Sequence, residues 1–180
     1  MCITKNLQIG KYEELRQYFD ELDSKAAAPL SFSDCENKAI RYVLNLETGK
    51  LRKDMKLEYL IEAGANLGIK DLDISTVLMN LIDNAIEACE RDMLENAVIS
   101  LKIKDGGSYV FITVTNPVSN AETTMRLFEE GTSKQDVKRH GYGKQIVSAI
   151  AEKHNGAIKY SAEDGLFRAD VMLEKDEQNE

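Results

Sequence analysis

The chain has 180 residues, 43% of them hydrophobic and 30% charged, with no Trp and only 2 Pro, which suits one soluble globular domain with a real core. An excess of 31 acidic over 23 basic side chains, net −8, argues against a nucleic-acid binder, which carries a basic face. It leaves a nucleotide ligand open, because Mg²⁺ and a few local donors suffice to neutralise phosphates.

Lys11 to Ala28 has helical spacing, with Leu15, Tyr18, Phe19 and Leu22 on one face, and Pro29 to Phe32 breaks it. Ser33 and Asp34 are N-cap candidates for a second helix over 35–51, with Ala39, Ile40, Val43, Leu44 and Leu46 inward. Met55 to Glu62 alternates as a strand does, and a loop follows to Lys70. A long helix is predicted over 71–93. Strands over 97–104 and 109–116 flank Asp105-Gly106-Gly107-Ser108, a hairpin signal, and Pro117 ends the second. Residues 118–140 are polar and weakly patterned, apart from an apolar island at Met125, Leu127 and Phe128. A helix over 141–154 stops at Asn155-Gly156, and 157–162 and 166–173 form a second hairpin before a charged tail. Hairpins and helices in this order predict an α+β, two-layer sandwich with a mixed sheet covered on one face by helices.

Cys2, Cys35 and Cys89 form neither a metal-ligand spacing nor a disulfide framework, which points to a reducing, cytoplasmic setting. No apolar run approaches the ~18 residues of a membrane helix, no signal-peptide pattern opens the chain, and no GxxxxGK[ST] loop occurs.

The predicted long helix carries the strongest chemical signal. Ile74, Val77, Leu78, Leu81, Ile82, Ala85, Ala88 and Cys89 fall on one apolar arc, and Asn80, Asn84, Glu87 and Arg91 form a polar stripe beside it. Asparagine costs several tenths of a kcal/mol against alanine inside a helix, so two on one stripe suggest side chains placed to hold something. Their carbonyl oxygens suit Mg²⁺ and their amides suit phosphate oxygens. Taken alone, the pair is equally compatible with a helix flank that meets solvent or caps a loop.

The ordered set of segments narrows this. Asn80-Leu-Ile-Asp-Asn84-Ala-Ile-Glu-Ala, Asn37-Lys-Ala-Ile, Leu127-Phe-Glu-Glu-Gly-Thr-Ser-Lys134 and Arg139-His-Gly-Tyr-Gly143 with its following helix to Gly156 resemble the GHKL superfamily. Within it the likeness is to the ATP-binding domain of sensor histidine kinases, and most to the bacterial peptide-pheromone (quorum-sensing) receptor kinases. The resemblance spans roughly 11–175. It implies a Bergerat-type ATP-binding fold, ATP and Mg²⁺ as ligands, and transfer of the γ-phosphate to a histidine.

Carried over residue by residue, Asn84 matches the Mg²⁺-binding asparagine and Asn80 its partner. Lys134 would reach a terminal phosphate, with Thr132 and Ser133 donating nearby. Gly141 and Gly143 would bring backbone N–H groups to the phosphates where a loop becomes a helix. Asn116 takes the place of the aspartate that reads adenine. Two departures stand out. The glycines usual after that aspartate are replaced by Pro117-Val118-Ser119-Asn120, and Arg139 stands where a first glycine would lie. The hydrolytic branches have a glutamate at the position of Asn80; an amide cannot activate water, which fits a kinase better than an ATPase.

No acceptor histidine precedes the ATP-binding part, because the only two histidines are His140 and His154. The expected organisation is therefore 1–30, a remnant of a dimerisation and phosphotransfer hairpin; 31–175, the catalytic domain; and 176–180, a charged tail. The chain is expected to be the cytoplasmic part of a membrane-anchored receptor that is a homodimer when whole. Its partners would be a response regulator and a histidine-bearing hairpin. A GHKL-fold interaction module with weak or no nucleotide binding is the alternative.

Overall fold

A computed structural model describes residues 35–130 and 142–176. The element order is α1 (Lys38–Thr48), β1 (Lys56–Glu62), α2 (Asp71–Arg91), β2 (Val98–Asp105), β3 (Tyr109–Pro117), α3 (Ala121–Glu130), α4 (Tyr142–Lys153), β4 (Ala157–Glu163) and β5 (Leu166–Glu174). The five strands make one mixed sheet in the order β1-β2-β3-β5-β4. β1 and β2 are parallel, joined by the crossover helix α2, and every other pairing is antiparallel.

Alternation along the strands creates the two faces. Ile99, Leu101 and Ile103 of β2, Val110, Ile112 and Val114 of β3, and Ala169, Val171 and Leu173 of β5 are buried beneath helices. Their neighbours Lys102, Lys104, Phe111 and Arg168 point the other way and are exposed. Ile40, Val43 and Leu44 of α1 and Ile74, Leu78 and Ile82 of α2 complete the core, each with 0% exposure. Every such side chain contributes about 1.5–3 kcal/mol by leaving water. The predicted sandwich, a mixed sheet with helices on one face, is what forms.

Three local features set the frame. Asn37 caps α1, its Oδ1 accepting from Ile40 N at 3.0 Å while its Nδ2 donates to Ala65 O at 2.8 Å. The cap is thus Asn37, whereas Ser33 and Asp34 lie outside the described residues, as does the predicted helix at 11–28. Buried Asp73 at the start of α2 accepts from Lys153 Nζ at 2.5 Å and lies 2.9 Å from His154 Nε2, pinning α4 to α2. Gly156 is obligatory, because a Cβ there would stand 1.9 Å from Met172 O.

One element departs from the sequence reading. Ten residues of the weakly patterned stretch form α3, capped by Asn120 Oδ1 accepting from Thr123 N at 2.8 Å. The apolar island is what seats it. Phe128 packs on Tyr160 and Phe167, with ring centroids 4.3 and 5.1 Å away, and Lys144 Nζ lies 4.1 Å above its ring.

Candidate functional site

Helix α2 carries the site because its apolar arc leaves no freedom in how it rolls on the sheet. Ile74, Val77, Leu78, Leu81, Ile82, Ala85 and Cys89 are buried as predicted, and Ala88 is half-buried. That roll sets Asn80 and Asn84, both half-buried, along the edge facing α4, with Glu87 and Arg91 exposed beyond them. Asn80 Nδ2 donates to Thr76 O, one turn back, at 2.7 Å. One of its two amide hydrogens is thus used by the helix, and its Oδ1 is the atom nearest Gly143 of α4.

What that oxygen meets is the first turn of α4. A Cβ added to Gly143 would stand 2.9 Å from Asn80 Oδ1 and 3.8 Å from Asn84 Nδ2. A side chain at 143 would displace the Asn80 amide, whereas Asn84 Nδ2 stands at ordinary van der Waals distance. The juxtaposition joins two amide side chains to the N-terminal turn of a helix, whose free N–H groups carry partial positive charge. A neutral hard oxygen beside such donors has chemistry that could hold a magnesium–phosphate group. The structure therefore brings Asn80, Asn84 and Gly143 together. Thr132, Ser133, Lys134 and Gly141 lie outside the described residues.

Asn116 closes β3 on the helix-covered face and is 2% exposed. Its Nδ2 donates to Pro117 O at 2.9 Å, and Cys89 Sγ points at the same carbonyl from 3.9 Å. Asn116 thus sits toward the C-terminal end of α2, while Asn80 and Asn84 lie nearer its middle. From Asn80 to Cys89 the helix rises about 13 Å. Ser119 then donates twice to Asp92, the residue that caps α2, from N and from Oγ, each at 2.9 Å. Burial pushes the Asp92 carboxyl up, but the Ser119 and Arg91 donors outweigh it and hold it below the usual carboxylate range. Burial also raises the Cys89 thiol to about 11, so it is an inert packing group.

Sequence reasoning missed a cluster on the other flank of α2. Glu47 of α1, fully buried, and Asp83 of α2 share the Lys50 ammonium, which lies 2.8 Å from Glu47 Oε2 and 2.6 Å from Asp83 Oδ1. Burial, then the charge of Asp83, raises the Glu47 carboxyl to about 7. The inward position expected for Leu46 belongs to Glu47, and Leu46 is half-buried. His154, at 3% exposure and held against Asp73, is structural.

A mixed five-stranded sheet under helices is the fold of histidine kinase catalytic domains. The family model for the GHKL domain matches residues 69–174. The chain belongs to the GHKL domain family. It is 28% identical over 163 residues to the sensor histidine kinase DpiB of Escherichia coli (strain K12), covering 84% of this chain and 29% of that protein. It is 29% identical over 110 residues to the sensor protein DltS of Streptococcus agalactiae serotype V, covering 58% of this chain and 27% of that one. The chain spans less than a third of the length of these curated relatives. Among solved structures, the catalytic domain of histidine kinase ThkA is 26% identical, with a TM-score of 0.59 over 77% of this chain and 91% of that one. Homology to histidine kinase catalytic domains follows. Among the described residues, no helix is long and apolar enough to cross a membrane.

Proposed function

We propose that this chain is the ATP-binding catalytic domain of a two-component sensor histidine kinase, delivering the γ-phosphate of ATP to a histidine on a helical hairpin. The observation that carries the reading is the close approach of Gly143 to Asn80, with Asn84 within van der Waals distance of the same turn. Mg²⁺, held by Asn84 with Asn80 beside it, would supply charge neutralisation for the triphosphate. The α4 N-terminus at Gly143 would take phosphate oxygens on backbone N–H groups, with Gly141, Thr132, Ser133 and Lys134 completing that end. Asn116 would take the purine some 13 Å along α2, a span matching an extended nucleoside triphosphate laid against the helix. Catalysis is then positioning and electrostatic stabilisation, with no covalent chemistry demanded of the protein. Asn80 has no basic atom to activate water, which favours transfer over hydrolysis. The histidine kinases it matches favour this reading over a non-catalytic interaction module.

The hairpin, to which residues 1–30 would belong, would come from the same receptor or a dimer partner, and a response regulator would receive the phosphate. Membership of the pheromone-sensing branch is part of the proposal and rests on asparagine at position 116. Calorimetric titration with Mg·ATP tests the site. Binding by the wild type and its collapse in a folded Asn84→Ala variant are expected; equal affinity in the two would refute the assignment.

A further inference from the structure

Helices cover one face of the five-stranded sheet, and among the described residues no helix or strand packs on the other. That open face is not simply polar. Six large hydrophobic side chains are exposed among the described residues, and four of them stand on it: Leu60 of β1 at 52%, Val98 of β2 at 39%, Phe111 of β3 at 41% and Leu166 of β5 at 46%. Each alternates with inward-facing neighbours, so none can reach the core without turning its whole strand. Apolar side chains gathered on one side of a domain, among polar ones, mark a contact surface.

Strand register makes the charges of this face complementary to themselves. One row across the five strands reads Leu60, Lys102, Thr113, Asp170 and Lys159, and the next reads Glu62, Lys104, Phe111, Met172 and Ala157. Turning a second copy by a half-rotation about an axis along β3 lays its β4 over β1 and its β5 over β2. Lys102 then faces Asp170 of the second copy, and Phe111 faces Phe111 on the axis. Continuing the β2–β3 register by two residues sets Val98 beside Pro117, so the same overlay puts Val98 on Leu166 and Lys56 on Glu163 of the second copy. No like charges oppose one another in these rows. An axis across the strands would instead set Val98 against Lys104, so the apolar groups favour the axis along β3. Lys56, Lys102 and Glu163 are exposed and make no ion pair among the described residues, so their charges are available to the second copy.

We propose that the open sheet face is a homodimer interface, on which two copies of this chain pack face to face about a two-fold axis along β3. Aligned sheets stacked in this way interdigitate their side chains across a layer ~10 Å thick. Five strands at a spacing of ~4.8 Å and seven residues at ~3.3 Å give a face of roughly 550 Å² in plan, which side-chain relief brings near the ~800 Å² per partner of a stable interface. An isologous contact repeats each pairing, so the Lys56–Glu163 and Lys102–Asp170 pairs each occur twice. Asn80, Asn84 and Gly143 belong to the helix layer, on the opposite side of the sheet, so the dimer leaves them uncovered.

Sedimentation velocity of the whole 180-residue chain, from about 1 μM to about 1 mM, tests the interface without nucleotide. A monomer–dimer equilibrium is expected for wild type. Phe111→Lys places two ammonium groups on the axis and should weaken dimerisation at least about tenfold. Lys56→Glu and Glu163→Lys should each weaken it roughly threefold to thirtyfold, and the double variant should return it to the wild-type value. Thermal unfolding checks that each variant is folded, and if Phe111→Lys is not, the charge exchange decides. A wild type that stays monomeric throughout overturns the proposal. So does a dimer equally tight in folded Phe111→Lys, which would belong to another surface such as residues 1–30. Single charge reversals without effect, or a double variant that fails to recover, overturn it as well.

Discussion

Replacing Gly143 by alanine separates stability from binding. Gly143 lies in the first turn of α4, where alanine would ordinarily stabilise the helix by about 0.5–1 kcal/mol. The new Cβ would stand 2.9 Å from Asn80 Oδ1, closer than such contacts tolerate, and Asn80 is the partner able to move. Moving it breaks the Asn80 to Thr76 hydrogen bond, a loss of about 0.5–1.5 kcal/mol. The two terms nearly cancel, so Gly143→Ala should change stability by less than about 1 kcal/mol. Binding has no such offset. In the proposed site the variant would displace the Asn80 amide and move the α4 N–H groups away from the phosphates. Losing even one charge-assisted contact of about 1.5–3 kcal/mol weakens Mg·ATP roughly tenfold to a hundredfold. Thermal unfolding and displacement of a fluorescent nucleotide, run on one preparation, measure both. Wild-type affinity in a folded variant would refute the geometry, and a large drop in Tm would refute the cancellation.

Three further outcomes follow from the same structure. The Glu47 carboxyl is raised from 4.5 to about 7, so its contribution to stability is full below pH 4.5 and is lost as pH rises through 7. Glu47→Gln should flatten that part of the pH profile, by at most about 3 kcal/mol between the two limits, as read by denaturant titration at pH 5 and 8. Asp73 behaves oppositely. Burial raises its carboxyl, but hydrogen bonds from Lys153 and His154 prevail and hold it below 3.8, so its contribution is present above that pH and fades as pH falls through the lowered value. Asp73→Asn should therefore destabilise at pH 7 by about 2–4 kcal/mol and lose that component of acid unfolding; an unaltered acid limb would contradict it. Gly156→Ala drives a Cβ into Met172 O, backbone against backbone, and should lower Tm by roughly 6–12 °C for a loss near 3 kcal/mol. A Tm within a degree or two of wild type would show that the turn relaxes freely.

Much of the fold was legible because period and punctuation agree. The 3.6-residue apolar arc of α2 gave its inner face nearly residue by residue, and Asp105-Gly106-Gly107-Ser108 and Asn155-Gly156 marked where the chain turns. The pairing of Asn80 with Asn84 follows from helical spacing, and their meeting with Gly143 followed the family resemblance. What escaped depends on contacts distant in sequence. α3 is short and charged, and Phe128 holds it by docking on Tyr160 and Phe167, which only the folded sheet brings near. Glu47 lies at i+7 from Ile40, on the inward face of the wheel, but its charge argues for solvent, and only Lys50 and Asp83, the latter on another helix, explain why it is tolerated inside. Asn37, Ser33 and Asp34 are all competent caps, and composition has no means to choose. The orientation of the Asn116 amide depends on where a backbone carbonyl points, which no side-chain pattern encodes.

Phosphotransfer itself tests the central claim most directly. The chain is mixed with a protein carrying the histidine hairpin of a related sensor kinase, and γ-labelled Mg·ATP is supplied. Acid-labile, alkali-stable phosphohistidine on the hairpin, lost with Asn84→Ala, is the predicted result. Nucleotide bound at saturation with no label transferred from any related hairpin, or label transferred equally by Asn84→Ala, would contradict the account.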